Sequence, residues 1–135
     1  MDSHARRSHE ISSVSDRTPR PLDGRSLGFA LGHELNVLRD ERPYRDHGHN
    51  ARTLVKNDGF RTGLVVLKPG ARMQEHETYH HVALHCLEGR VCVQLPEGPI
   101  ELPAGGLLGL GPCVSHDIAA IEDSAFLVYV SWSEP

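Results

Sequence analysis

Basic residues are too few in this sequence to make a nucleic-acid footprint. Fourteen Lys and Arg face 18 Asp and Glu, a formal net charge of -4 with histidine neutral, where a polyanionic partner calls for a basic stripe. Apolar runs are short. None approaches the ~20 apolar residues of a membrane-spanning helix, and no charged start followed by an apolar run marks a signal peptide. Cysteine is sparse as well. Cys86, Cys92 and Cys113 are an odd number without paired spacing, which argues against a disulfide framework or a cysteine-based zinc finger. Cys86 and Cys92 lie inside apolar runs, where a free thiol behaves as a small hydrophobe. The expectation is a cytoplasmic protein, in a compartment that keeps thiols reduced, contacting neither nucleic acid nor membrane.

The 135 residues fit one domain, and 39% hydrophobic with 24% charged content is ordinary for a globular chain. Residues 1 to 25, MDSHARRSHEISSVSDRTPRPLDGR, carry almost no apolar content. Such a segment does not bury enough surface to offset its ordering entropy, so a disordered N-terminal tail is expected, with the domain spanning 26 to 135. Leu27, Leu31, Leu35 and Leu38 recur at spacings of four, four and three, one stripe of a short N-terminal helix over about 27 to 40. Gly28 and Gly32 weaken it by up to about 1 kcal/mol each, and Pro43 predicts its end in the polar stretch RDERPYRDHGHN. From Ala51 onward about eight short runs follow, each bounded by Gly, Pro, Asp or Asn. Regular spacing without intervening helices predicts an all-β antiparallel sandwich or barrel.

Histidine is abundant, ten in all, and four of them (His76, His80, His81, His85) fall in MQEHETYHHVALHCLEG. Gly70, five residues, His76, and then the glycine of LEG, Gly89, resemble the first motif of a small single-domain cupin. GGLLGLGPCVSHDI, with Gly105, Pro112 and His116, resembles the second, and RVCVQLPEGPIELPAG stands between them as the usual hairpin. The resemblance, to the RmlC-like type, covers roughly residues 51 to 132. It implies a double-stranded β-helix, or jelly-roll barrel, over that range. Such a roll needs alternating strands and tight glycine turns. FLVYV is apolar on both faces, so the face outside the barrel must meet a second layer or another subunit. A homodimer through an outer sheet face is therefore expected, as small cupins commonly form.

In metal-binding cupins, the resemblance implies, the ligands are two His and a Glu from the first motif and one His from the second. Here His76 and His116 hold their places, while Thr78 replaces the second His and Val82 the Glu. A Thr hydroxyl is a poor neutral ligand and Val has no donor, whereas Zn, Fe, Mn or Ni sites need imidazole and carboxylate, three or four together. Strand alternation offers a substitute. If the chain stays extended from 76 to 82, then His76, Thr78, His80 and Val82 share the inward face, and His80 becomes a third nitrogen beside His76 and His116. If a loop intervenes, alternation is lost and His80 turns to solvent. His81 and His85 have the outward parity, toward the dimer interface. His47 and His49 read as loop, Cys113 as a residue of the barrel mouth, and Asp117 as a strand-end surface residue or an acceptor orienting His116.

The leading expectation is a small-molecule-binding barrel without a full four-ligand metal site, its ligand-binding residues His76, Thr78, His80, Val82 and His116. The alternative is a metal-dependent enzyme of the dioxygenase or isomerase/cyclase type, with one divalent transition metal (Fe, Mn, Ni or Zn) on His76, His80 and His116. No catalytic residue is assigned. A sensing role is disfavoured, because the chain shows no helix-turn-helix and no basic stripe.

Overall fold

Two secondary-structure periods divide the chain, and the computed structural model follows them over residue 23, residues 26–75 and residues 80–132. Apart from Asp23, the stretch expected as a tail lies outside the described residues. Two helices lead, α1 (Leu31–Asp40) and α2 (Arg42–His47). Nine strands follow among the described residues: β1 (His49–Asn57), β2 (Phe60–Leu67), β3 (Arg72–Glu75), β4 (His81–Glu88), β5 (Arg90–Leu95), β6 (Gly98–Pro103), β7 (Leu107–Leu110), β8 (His116–Ala120) and β9 (Ser124–Ser131). None of the described helices is long and apolar enough to cross a membrane.

Four details differ from the sequence reading. The leucine stripe predicts a start at 27, but α1 begins at Leu31, after the extended backbone of Ala30; Gly28 makes ordering the preceding turn expensive. α1 ends at Asp40, as expected, and what differs is that Pro43 opens a second helix. It sits in the first turn of α2, where a missing N–H costs nothing, and Gly48, at φ 80°, caps that helix. The His47–His49 pair is accordingly not a loop: His47 ends α2 and His49 opens β1. The four-residue β3 was not expected at all, since RMQE shows no apolar run.

All strand pairings are antiparallel, in a five-stranded sheet ordered β1-β2-β9-β4-β7 and a four-stranded sheet ordered β3-β8-β5-β6. The two sheets enclose Val65, Leu84, Cys86, Val93, Ile118 and Phe126 as an interior core. Side chains two apart share a face, so the outer face of the five-stranded sheet carries the alternate residues of the same strands. There Leu64, Val66 and Leu127 pack with Leu35, Leu38 and Tyr44 of the helices in a second core. A bulge between Thr53 and Val55 in β1 lets Leu54 and Val55 both join that helical core while Thr53 stays buried.

Polar ties fix the helical layer to the sheet. Asn50 donates from Nδ2 to the Leu38 carbonyl at 2.9 Å and to Glu41 Oε1 at 2.8 Å. Arg52 Nη1 lies 3.0 Å from Glu34 Oε1 with both side chains nearly buried. The Tyr44 hydroxyl donates to Asp123, in the turn between β8 and β9. Arg39 reaches Glu88, at the end of β4, at 2.9 Å.

Candidate functional site

The inward residues of the five-stranded sheet form rows across its strands. Arg61, Val130 and Val82 stand side by side in β2, β9 and β4, and Gly63, Val128 and Leu84 make the next row. The facing sheet supplies Met73 from β3, and Ile118 and His116 from β8, with Met73 opposite Ile118. These residues and His80 line one pocket of about 60 Å³. That is room for roughly four or five water molecules. Its walls are apolar, and its polar groups come from Arg61, His80 and His116.

His116 is the most firmly fixed of the three. It opens β8 at 4% exposure, and its Nδ1 lies 3.0 Å from the Val114 carbonyl. A carbonyl only accepts, so Nδ1 carries the proton, and in the neutral ring Nε2 holds the lone pair. The approach to this strand is the turn holding Pro112 and Cys113, where Cys113 adopts φ 66°. A non-glycine residue pays about 1 kcal/mol or more for that left-handed backbone. The Cys113 thiol itself is exposed and is not among the described pocket residues. Asp117 does not orient the imidazole; its carboxylate pairs with Arg72 at 3.2 Å.

His80 arrives by another route than the one expected. β3 belongs to the four-stranded sheet and β4 to the five-stranded one, so the chain crosses between sheets between residues 75 and 81. Strand alternation from 76 to 82 therefore does not set its direction. A crossing predicts a solvated His80, yet the residue is half-buried, lines the pocket, and lies against Trp132 with ring centroids 5.2 Å apart. Val82 lines the same pocket from the start of β4. His81 is exposed and His85 half-buried, on the opposite parity from the inward Val82, Leu84 and Cys86. His76 and Thr78 lie outside the described residues.

Among the described residues no three His, Cys, Asp or Glu side chains gather closely enough to hold a metal ion. Two imidazoles share the pocket, and Val82 stands where a carboxylate ligand is needed. The described part of the site therefore does not fit a metal centre, and His76 would have to complete one. Arg61, Gly63 and Met73 were missed in the sequence. A signal for Arg61 existed: in FRTGLVVL it shares parity with the buried Val65 and Leu67, so the strand carries one cation on its inward face.

No family model matches the sequence, and no curated protein matches it. Solved structures do match in shape. A cupin superfamily protein from Desulfitobacterium hafniense is similar over 66% of this chain and 82% of its own, with a TM-score of 0.63 at 18% identity. An RmlC-like cupin from Shewanella frigidimarina is similar over 64% of this chain and 78% of its own, with a TM-score of 0.59 at 20% identity. A variant of salicylate 1,2-dioxygenase from Pseudoaminobacter salicylatoxidans is similar over 76% of this chain and 34% of its own, with a TM-score of 0.68 at 14% identity. The chain is thus a small cupin-type jelly roll. At these identities the likeness is one of fold, and fold does not choose an activity.

Proposed function

We propose that this cupin barrel binds a small organic anion, a carboxylate, in the pocket between the two sheets. One observation carries the reading: Arg61 and two imidazoles line a single pocket whose other walls are apolar. Arginine recognises carboxylate through paired N–H donors, and a low-dielectric wall strengthens each such bond. His116, held by the Val114 carbonyl, is pre-set to meet a polar atom of the ligand, and Val82 leaves that side of the site apolar. His76 and Thr78 complete the ligand-binding set in this proposal. Thermal melting with a panel of small carboxylates tests it. A ligand at 100 times its Kd adds about 2.7 kcal/mol of stability, and Arg61→Gln and His116→Ala are expected to abolish the upward shift. A panel that leaves the melting temperature unmoved, or an Arg61→Gln protein that responds like the parent, overturns it.

A second reading is favoured by the His116 hydrogen bond, because an imidazole that donates one N–H to a backbone carbonyl is arranged as metal ligands are. In it His76, His80 and His116 hold one Fe, Mn, Ni or Zn ion for dioxygenase or isomerase/cyclase chemistry. Metal content of untagged protein decides: about one ion per subunit, lost in His80→Ala and in His116→Ala, supports it. Content that is negligible, or unchanged in both variants, removes it.

We also propose a homodimer through the uncovered part of the five-stranded sheet. His81 stands beside Ser131 and Phe60 on that face, and His85 beside Leu107, which is 66% exposed. Light scattering on Leu107→Glu is expected to give a monomer where the parent gives a dimer. The three free thiols suit the proposed cytoplasmic setting.

A further inference from the structure

A second cavity lies between β1, β2 and β3, with a volume of about 220 Å³ against about 60 Å³ for the first. Ala51, Val65, Leu67 and Met73 make most of its wall, the buried Asn50 joins them, and the exposed His49 and Arg72 border its mouth. Two relations join it to the anion pocket. Met73 lines both. The inward residues of β2 also run through the two in order: Arg61 and Gly63 line the first, Val65 and Leu67 the second. Each two-residue step along a strand covers about 7 Å, so Gly63 and Leu67 are about 14 Å apart. At the joint β2 presents Gly63, with no side chain to fill the space. Across from it stands methionine, the side chain most able to swing aside or reshape itself around a neighbour.

We infer that the ligand is an elongated amphipathic acid, its carboxylate at Arg61 and His116 and its straight apolar chain passing Met73 into the second cavity. The inference rests on the anion-binding reading above and adds the shape and apolarity of the rest of the molecule. The volumes point the same way. The first pocket accommodates a head group and little more, while the larger space beyond it is walled mainly by apolar side chains, and the Asn50 amide at its edge is already bonded to Leu38, Glu41 and Ala51; such a wall rewards methylenes and not hydroxyls. Small polyhydroxylated acids are therefore excluded as the preferred ligands.

Calorimetric titration with straight-chain carboxylates from butanoate to dodecanoate, on the full chain and on Ala51→Phe, tests this. In the parent protein affinity is expected to rise about threefold to fourfold per added methylene once the first pocket is filled. Ala51→Phe, which fills the second cavity, is expected to lower the preference for decanoate over butanoate by about tenfold or more. Should that variant not fold, Ala51→Leu intrudes less and is expected to shorten the best-bound chain by about two methylenes, its Leu side chain filling that much of the cavity. Equal affinity for butanoate and decanoate, still lost in Arg61→Gln, overturns the elongated ligand and leaves the anion site standing. A chain-length preference unaltered in a folded Ala51 variant also overturns it. No binding at any length overturns both.

Discussion

The imidazole of His80 lies 5.2 Å from the indole of Trp132, the two planes tilted by 35°. Trp132 is the sole tryptophan of the chain, and its backbone N–H donates to the Gly59 carbonyl at 3.0 Å. The end of β9, the β1–β2 turn and the approach to β4 therefore meet beside His80, which lines the pocket. His80→Ala is expected to change the emission of Trp132, and a carboxylate entering the pocket is expected to do the same in the parent. Fluorescence titration checks both. An emission spectrum indifferent to His80→Ala removes the contact from the account.

Gly89 is required for two separate reasons. Its backbone sits at φ 76°, and a Cβ there would lie 2.1 Å from the Asp123 carbonyl oxygen and 2.5 Å from Ser124 Oγ. The left-handed backbone and the overlap each cost about 1–3 kcal/mol for a side chain. Gly89→Ala is expected to destabilise the fold by about 3 kcal/mol or more, seen as a lower urea midpoint with unchanged slope. A midpoint within error of the parent contradicts this geometry.

The Arg52–Glu34 pair bridges β1 and α1 at side-chain exposures of 12% and 10%. A charge left behind at such burial is expensive, so removing one partner costs about 3 kcal/mol. Arg52→Met is expected to show that loss in chemical denaturation. The double variant Arg52→Met, Glu34→Leu is expected to recover most of it, because apolar packing replaces the pair without stranding a charge.

Alkaline pH is expected to weaken the fold through two acids. Burial, then the hydrogen bond to Asp123, pushes the Tyr44 hydroxyl up from the ordinary phenol range. Burial likewise pushes the Cys86 thiol up. Both groups thus stay neutral in the folded chain at pH values where they ionise in the unfolded one. Their contribution is complete below the unfolded values, about 8.5 for a thiol and about 10 for a phenol, and is lost as pH rises through the folded values. The melting temperature is expected to fall above about pH 8.5. Cys86→Ala is expected to flatten the early part of that fall and Tyr44→Phe the later part. Parallel pH profiles for all three proteins contradict the assignment.

The barrel was legible because its signals are local. Gly70, Gly89, Gly105 and Pro112 punctuate the strands, and alternation sorts Val82, Leu84 and Cys86 from His81, Ala83 and His85 on one strand. The ends of elements were less legible. Pro43 signals a stop in one helix and a start in another with equal force, and only the burial of Tyr44 against the sheet decides between them. The pocket was half legible. His116 and Val82 follow from strand position, and parity puts Arg61 on an inward face, but that Arg61 shares a row with Val82 depends on β2 pairing with β9 and β9 with β4, which no local pattern carries. His80 lies in the pocket although the chain changes sheets just before it, beside a tryptophan 52 positions later.

β2 belongs to two compartments at once. Arg61 and Gly63 face the ligand space, while Leu64 and Val66, further along the strand on its other face, form the floor on which the helices rest. A one-residue insertion there would carry the cation under the helices and the leucine into the binding space. The facing strands are freer, since β3 turns the exposed Arg72 and Gln74 outward, and β8 the half-buried Asp117 and Ala119. Anyone wishing to change what this barrel holds should therefore redraw β3 and β8, the side that backs onto water, and leave β2 as the hull.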